Sequence, residues 1–115
     1  MHELGIVFHA IKMVEELCAE NGLKEVSSVT MEFGEVSGVI PHEIEACWDW
    51  SVKKKSEHMQ QAKLKMETIP AVTYCEDCQQ EYPTVAHGKT CPHCGSGNTY
   101  LLRGNEINIK EIEAC

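Results

Sequence analysis

Residues 75–94 read CEDCQQEYPTVAHGKTCPHC, and the two cysteine pairs in that stretch set the organisation of the whole chain. Their spacing is C-x2-C-x12-C-x2-C, from Cys75-Glu76-Asp77-Cys78 and Cys91-Pro92-His93-Cys94. Two residues between cysteines let both thiolates turn onto one ion in a tight knuckle, and two knuckles supply the four soft ligands of a closed tetrahedral site. Gly95 follows the second knuckle, where a backbone needing positive φ is common. Tyr82-Pro83 and His87-Gly88 suit a short hairpin between the knuckles. The module over residues 71–99 is too short to bury much core. A metal takes the core's place, because ligand binding is then folding free energy, on the order of 10 kcal/mol or more. The outline is a structural zinc ribbon: four thiolates leave no open position for a substrate. Iron fits the same ligand type. A redox CxxC is the rival, but it calls for one pair at a helix start after a strand. His87 and His93 lie beside the knuckles. The plain reading makes them exposed loop histidines; the sharper one lets an imidazole exchange with a thiolate or take a second metal.

Upstream of the cysteines the chain shows regular periods. Leu4, Val7, Phe8, Ile11, Val14 and Cys18 recur at helical spacing over residues 3–21, and Asn21-Gly22 provides a stop. Residues 26–33 alternate as a half-buried strand, with Ser27, Val29, Met31 and Phe33 facing one way and Ser28, Thr30 and Glu32 the other. Pro41 suits the first turn of a second helix, which carries Ile44, Cys47, Trp48 and Val52 on one stripe and fades near Ser56. Lys53-Lys54-Lys55 is then a solvated helix end, where cations are favourable. Residues 62–69 form a strand with Leu64 and Met66 inward, and strand signals return from Tyr100, with Ile107 and Ile109 alternating with Asn108 and Lys110. The expected fold class is α+β. A two-layer α/β domain, two helices on a small three-stranded sheet, takes residues 1–70 plus 100–115, and a four-cysteine zinc ribbon at 71–99 is inserted into it. Cys18 and Cys47 are expected as packed thiols and Cys115 as a frayed end. Trp48 belongs in the core and Trp50 on a partner surface. His9, His42 and His58 read as surface histidines.

The bulk properties narrow the function. The 115 residues are 43% hydrophobic, ordinary for a globular chain, and no stretch of 18 apolar residues exists to span a membrane. The start lacks the basic and apolar run of a signal peptide, so the expected location is cytoplasmic. Eighteen acidic and ten basic residues leave a net charge of -8, which argues against nucleic acid. Seven cysteines, an odd number, do not suggest a disulfide framework.

The other informative feature is the start, Met1-His2-Glu3. His2 is too bulky for the usual removal of the initiator methionine, so a free amine should persist. That amine, the His2 backbone nitrogen and the His2 imidazole can chelate one ion in adjoining rings. Nitrogen ligands in a plane suit Ni(II) or Cu(II) better than zinc.

In these residues the chain resembles the HypA/HybF family of hydrogenase nickel-incorporation proteins. The likeness runs through Met1-His2-Glu3-Leu4, the first helix, VTMEFGEVS at Val29 to Ser37, the knuckles CEDC and CPHC, and GNEINIKEIE at Gly104 to Glu113. It implies a nickel-binding α/β domain with an attached zinc ribbon. His2 would be the essential nickel ligand, with the Met1 amine and Glu3 contributing. Cys75, Cys78, Cys91 and Cys94 would hold structural Zn2+, and Ni2+ would be transient cargo. The implied function is a nickel metallochaperone, not an enzyme and without catalytic residues. It would act with a HypB-type GTPase on a nickel-iron hydrogenase large-subunit precursor, or towards urease. A homodimer is left open. The first rival is a zinc-ribbon adaptor that binds proteins without nickel transfer; the second is a redox or hydrolytic zinc enzyme, which would need an open metal position or a reactive thiol.

Overall fold

The computed structural model describes residues 3–115; Met1 and His2, and with them two of the three expected nickel ligands, lie outside the described residues. Among the described residues the chain forms α1 (Glu3–Asn21), β1 (Val26–Gly34), α2 (Pro41–Lys55), β2 (Lys63–Ile69), β3 (Val72–Cys75), β4 (Glu81–Pro83), α3 (Thr84–His87), β5 (Thr99–Arg103) and β6 (Ile107–Ala114). The strands make two three-stranded sheets, ordered β2-β1-β6 and β4-β3-β5. The fold class is α+β, as the periodicities imply. The chain divides into two compact units. One comprises Met1–Met31, Val39–Glu67 and Asn108–Cys115, the other Glu32–Gly38 and Thr68–Ile107.

In the first unit α1 buries Val7, Ile11, Val14 and Cys18 of the expected stripe together with Ala10, while Leu4 and Phe8 of that stripe are half-buried. Gly22 ends the helix at φ +65°, and the Leu23 N–H closes it on the Cys18 carbonyl at 3.0 Å. Pro41 opens α2 after an extended Ile40, where its missing N–H costs nothing. That helix turns Ile44, Trp48, Ser51 and Val52 inward, packs beside α1, and leaves Cys47 half-buried. The Trp48 indole N–H donates to the Ala62 carbonyl at 2.9 Å, so the largest core side chain carries no unpaired donor. Trp50, two residues on, is 53% exposed.

Strand β1 departs from simple alternation. Ser28 and Thr30 are each only 5% exposed, while Ser27, on the supposed inner face, is exposed. The cause is position: β1 lies between β2 and β6, so side chains of both neighbours cover its second face. The Ser28 hydroxyl donates to the Glu113 carboxylate of β6 at 2.6 Å, and Lys65 of β2 reaches the same oxygen at 2.9 Å. The C-terminus is likewise tied rather than frayed. The Cys115 N–H donates to the Glu25 carbonyl at 3.0 Å, and its own carbonyl accepts from Lys24 N–H at 2.8 Å.

In the second unit β3 pairs antiparallel with both β4 and β5, placing Tyr74 opposite Glu81 and Tyr100. The strand at 99–103, grouped by the sequence pattern with the last strand, thus pairs with β3. The hairpin is also placed differently. Tyr82 and Pro83 pair back onto Thr73 and Val72, which makes the first knuckle the hairpin's turn. Thr84–His87 is instead a single helical turn, closed by the Gly88 N–H on the Thr84 carbonyl at 2.6 Å.

Three segments cross this unit almost in backbone contact. A Cβ on Gly34 would stand 2.0 Å from the Gly104 carbonyl oxygen, and one on Gly104 (φ +117°) would stand 2.4 Å from the Ala71 Cα. Two carboxylates satisfy the backbone there: Glu35 accepts from the Ala71 N–H at 2.9 Å, and Glu106 from the Gly104 N–H at 2.6 Å. The sequences Gly34-Glu35 and Gly104-Asn105-Glu106 are thereby explained.

Candidate metal centre

Each cysteine pair folds into the same tight turn. In the first, Gln79 N–H donates to the Cys75 carbonyl at 2.8 Å and Cys75 N–H to Gln80 at 2.9 Å; in the second, Gly95 N–H donates to Cys91 at 2.8 Å and Cys91 N–H to Ser96 at 2.9 Å. Both turns need a left-handed residue after the second cysteine. Gly95 takes φ +76° without strain, whereas Gln79 holds φ +58° with a side chain present.

The two turns bring four thiols together. Cys75 and Cys94 sulfurs lie 3.6 Å apart and Cys78 and Cys91 sulfurs 3.5 Å, and all four fall within 4.8 Å of one another. A tetrahedron with zinc–sulfur bonds of about 2.3 Å has edges of about 3.8 Å, so the donor set and its spacing fit zinc. Cys75 is 0% and Cys91 1% exposed, packed with Tyr82, while Cys94 is exposed. Burial and donation to the other sulfurs push the Cys78 thiol up to about 12. Burial also pushes against ionisation of Cys91, but the backbone N–H groups of Cys94 and His93 and the thiols of Cys78 and Cys94 outweigh it and bring Cys91 down to about 6. Zinc binds thiolates, so its uptake displaces thiol protons. His87 and His93 are exposed, and the thiol cluster includes no histidine among the described residues.

The sequence pattern missed the side chains that join the knuckles. Asp77, inside the first knuckle, accepts from the Ser96 hydroxyl and, at 3.3 Å, from the Asn98 side-chain amide. The Asn98 N–H donates to the Ser96 hydroxyl at 2.9 Å, and the Glu76 N–H to the Asn98 carbonyl at 3.0 Å. A Ser and an Asn just after the last cysteine were the available signal.

At the start of α1, Glu3 is the one expected nickel ligand among the described residues. Its carboxyl is held below the ordinary range by its own backbone N–H, then by the Ile40 backbone and the Glu43 side chain, against the opposing effect of burial. Glu3 therefore meets the first turn of α2. Elsewhere in the same unit His58, read from sequence as a plain surface residue, is bound to Glu15. Its Nδ1 lies 2.7 Å from one carboxylate oxygen and its backbone N–H donates to the other at 3.0 Å. No local pattern signals a pair 43 residues apart. No helix of the described residues is long and apolar enough to cross a membrane.

A family model described as hydrogenase/urease nickel incorporation, metallochaperone, hypA matches residues 1–114. A hydrogenase maturation factor HypA of Geotalea daltonii is 36% identical over 113 residues, covering 97% of each chain. HypA of Actinobacillus succinogenes is 34% identical over 112 residues, again 97% of each, and HybF of Klebsiella pneumoniae is 29% identical over 113 residues, 98% of each. The fold is also that of the solution structure of the Ni metallochaperone HypA from Helicobacter pylori. The TM-score is 0.75 at 23% identity, covering 99% of this chain and 97% of that one. With its helices, sheets and four-thiol cage all inside a match of nearly full length, the chain belongs to the HypA/HybF family of hydrogenase maturation factors, the nickel metallochaperones of hydrogenase and urease nickel incorporation.

Proposed function

We propose that this chain carries Ni(II) at its N-terminus and keeps Zn(II) as a fixed part of its fold. The Met1 amine, the His2 backbone nitrogen and the His2 imidazole would hold nickel, with Glu3 close by. Cys75, Cys78, Cys91 and Cys94 would hold zinc. The division follows from ligand chemistry: a closed cage of four thiolates suits a resident ion, and a terminal nitrogen chelate suits one that must leave. The unit with α1 and α2 would handle nickel and the unit with the two knuckles zinc. The cargo would pass in the cytoplasm, with a HypB-type GTPase, to the large-subunit precursor of a nickel-iron hydrogenase. No residue is assigned a catalytic role.

The observation that carries this reading is the family match over residues 1–114, which takes in both the Met1-His2-Glu3 start and the thiol cage. X-ray absorption on protein loaded with both metals tests it. The expected result is zinc surrounded by four sulfurs and nickel by nitrogen and oxygen with no thiolate. Nickel bound by cysteine sulfur would overturn it and favour a ribbon adaptor that takes nickel adventitiously.

A further inference from the structure

A protein whose cargo is nickel and whose scaffold holds zinc has a selectivity problem inside one chain. Thiolates bind both ions, and the general order of affinities does not exclude nickel from a zinc cage. Geometry separates them. Zinc accepts a tetrahedron without preference from its d electrons, whereas Ni(II) forfeits there the d-electron stabilisation that a planar site gives it. Here each knuckle contributes two sulfurs, so the coordinate between the two geometries is the twist of one knuckle against the other.

Side chains span the two knuckles, beside the pairing of Cys75 with Thr99. The Asp77 carboxylate, between Cys75 and Cys78, accepts from the Ser96 hydroxyl and the Asn98 amide, both just beyond Cys94. Ser96 also accepts from the Asn98 N–H, and the backbone bond from Glu76 N–H to Asn98 carries the link to the other side of Asp77. The bridge is charge-assisted, so it is stronger than a neutral pair. It touches no sulfur, yet flattening the cage would break it.

We propose that the Asp77–Ser96–Asn98 bridge is a metal-selectivity device, which locks the twist between the knuckles and so keeps the four-thiol cage for zinc rather than nickel. Asp77 is a positioning residue here, and the inference rests on the zinc assignment made above.

The test uses full-length protein carrying His2→Ala, so that the N-terminal chelate does not obscure the cage. Metal-free protein is refolded with zinc and excess nickel, and the metal content and nickel–thiolate absorption are read. With Asp77 intact, zinc fills the cage, and nickel forced in alone gives the spectrum of a tetrahedral site. Asp77→Ala, which removes two hydrogen bonds to an exposed carboxylate, should raise the nickel-to-zinc ratio about tenfold and move the nickel spectrum to that of a planar site. Ser96→Ala, which removes the hydroxyl's bonds to Asp77 and from the Asn98 N–H but leaves the Asn98 amide on the carboxylate, should move both in the same direction by less, and it serves if Asp77→Ala does not fold. Unchanged metal ratios and spectra in zinc-competent variants would overturn the proposal. Absence of zinc from the parent protein would overturn the zinc assignment itself, a result distinct from the first.

Discussion

Gly34 and Gly104 meet backbone to backbone: a Cβ on Gly34 would lie 2.0 Å from the Gly104 carbonyl oxygen. Neither backbone can yield easily. Gly34 N–H donates to Glu106 and Val36 N–H to the Gly104 carbonyl, each at 2.7 Å. Gly34→Ala should therefore cost on the order of 3 kcal/mol or more, since the clash is with main chain and not with a flexible side chain. Gly5 is the control. It sits in α1 with nothing within 4 Å of its absent Cβ, and Gly5→Ala should stabilise by about 0.5–1 kcal/mol. Thermal melts of the two variants should move in opposite directions.

Gln79 occupies the knuckle position that Gly95 occupies in the second turn, with φ +58° against +76°. Gln79→Gly relieves a left-handed side-chain strain of about 1–2 kcal/mol and loses part of the gain to chain entropy. The expected outcome is equal or slightly raised stability with zinc bound. Gln79→Val should lower it, because a β-branched residue tolerates positive φ least. Denaturant titration of the zinc-loaded protein reads both.

The Glu15–His58 pair predicts a pH window. The bond to Glu15 raises the His58 imidazole above its ordinary 6.5. For Glu15, partial burial pulls the carboxyl upward, but the side-chain and backbone bonds of His58 outweigh it and leave it below its ordinary 4.5. The His58 contribution is complete below pH 6.5 and disappears as pH rises through the raised value. The Glu15 contribution is complete above pH 4.5 and disappears as pH falls through the lowered one. The Tm difference between wild type and His58→Ala should be widest between those two pH values and shrink on the alkaline side. A difference independent of pH would show that packing, not charge, holds His58.

The legible and illegible parts of the sequence divide on physical lines. α1 and α2 could be read because amphipathic stripes and the stop and start residues Gly22 and Pro41 are local signals. The knuckles could be read because ligand spacing is local too. Strand β1 could not be read correctly at Ser27, Ser28 and Thr30. Burial of its second face depends on which strands flank it, here the strands that carry Lys65 and Glu113, far along the chain. The pairing of Tyr82-Pro83 with Val72-Thr73, the bond between Glu15 and His58 and the bridge from Asp77 to Ser96 and Asn98 are hidden for the same reason. Each joins residues whose separation no periodicity records. Gly34 and Gly104 lie between: the glycines are visible as breaks, but their reason is a mutual approach only the fold supplies.

The N-terminus, and not the cysteine cage, would carry the nickel. Calorimetric titration of nickel into zinc-loaded protein decides this, with wild type and His2→Ala compared and zinc content measured before and after. One nickel per chain is expected in wild type, with loss of that binding in His2→Ala and unchanged zinc in both. Equal nickel binding by the two proteins, or nickel uptake matched by zinc release, would rule out an N-terminal nickel site.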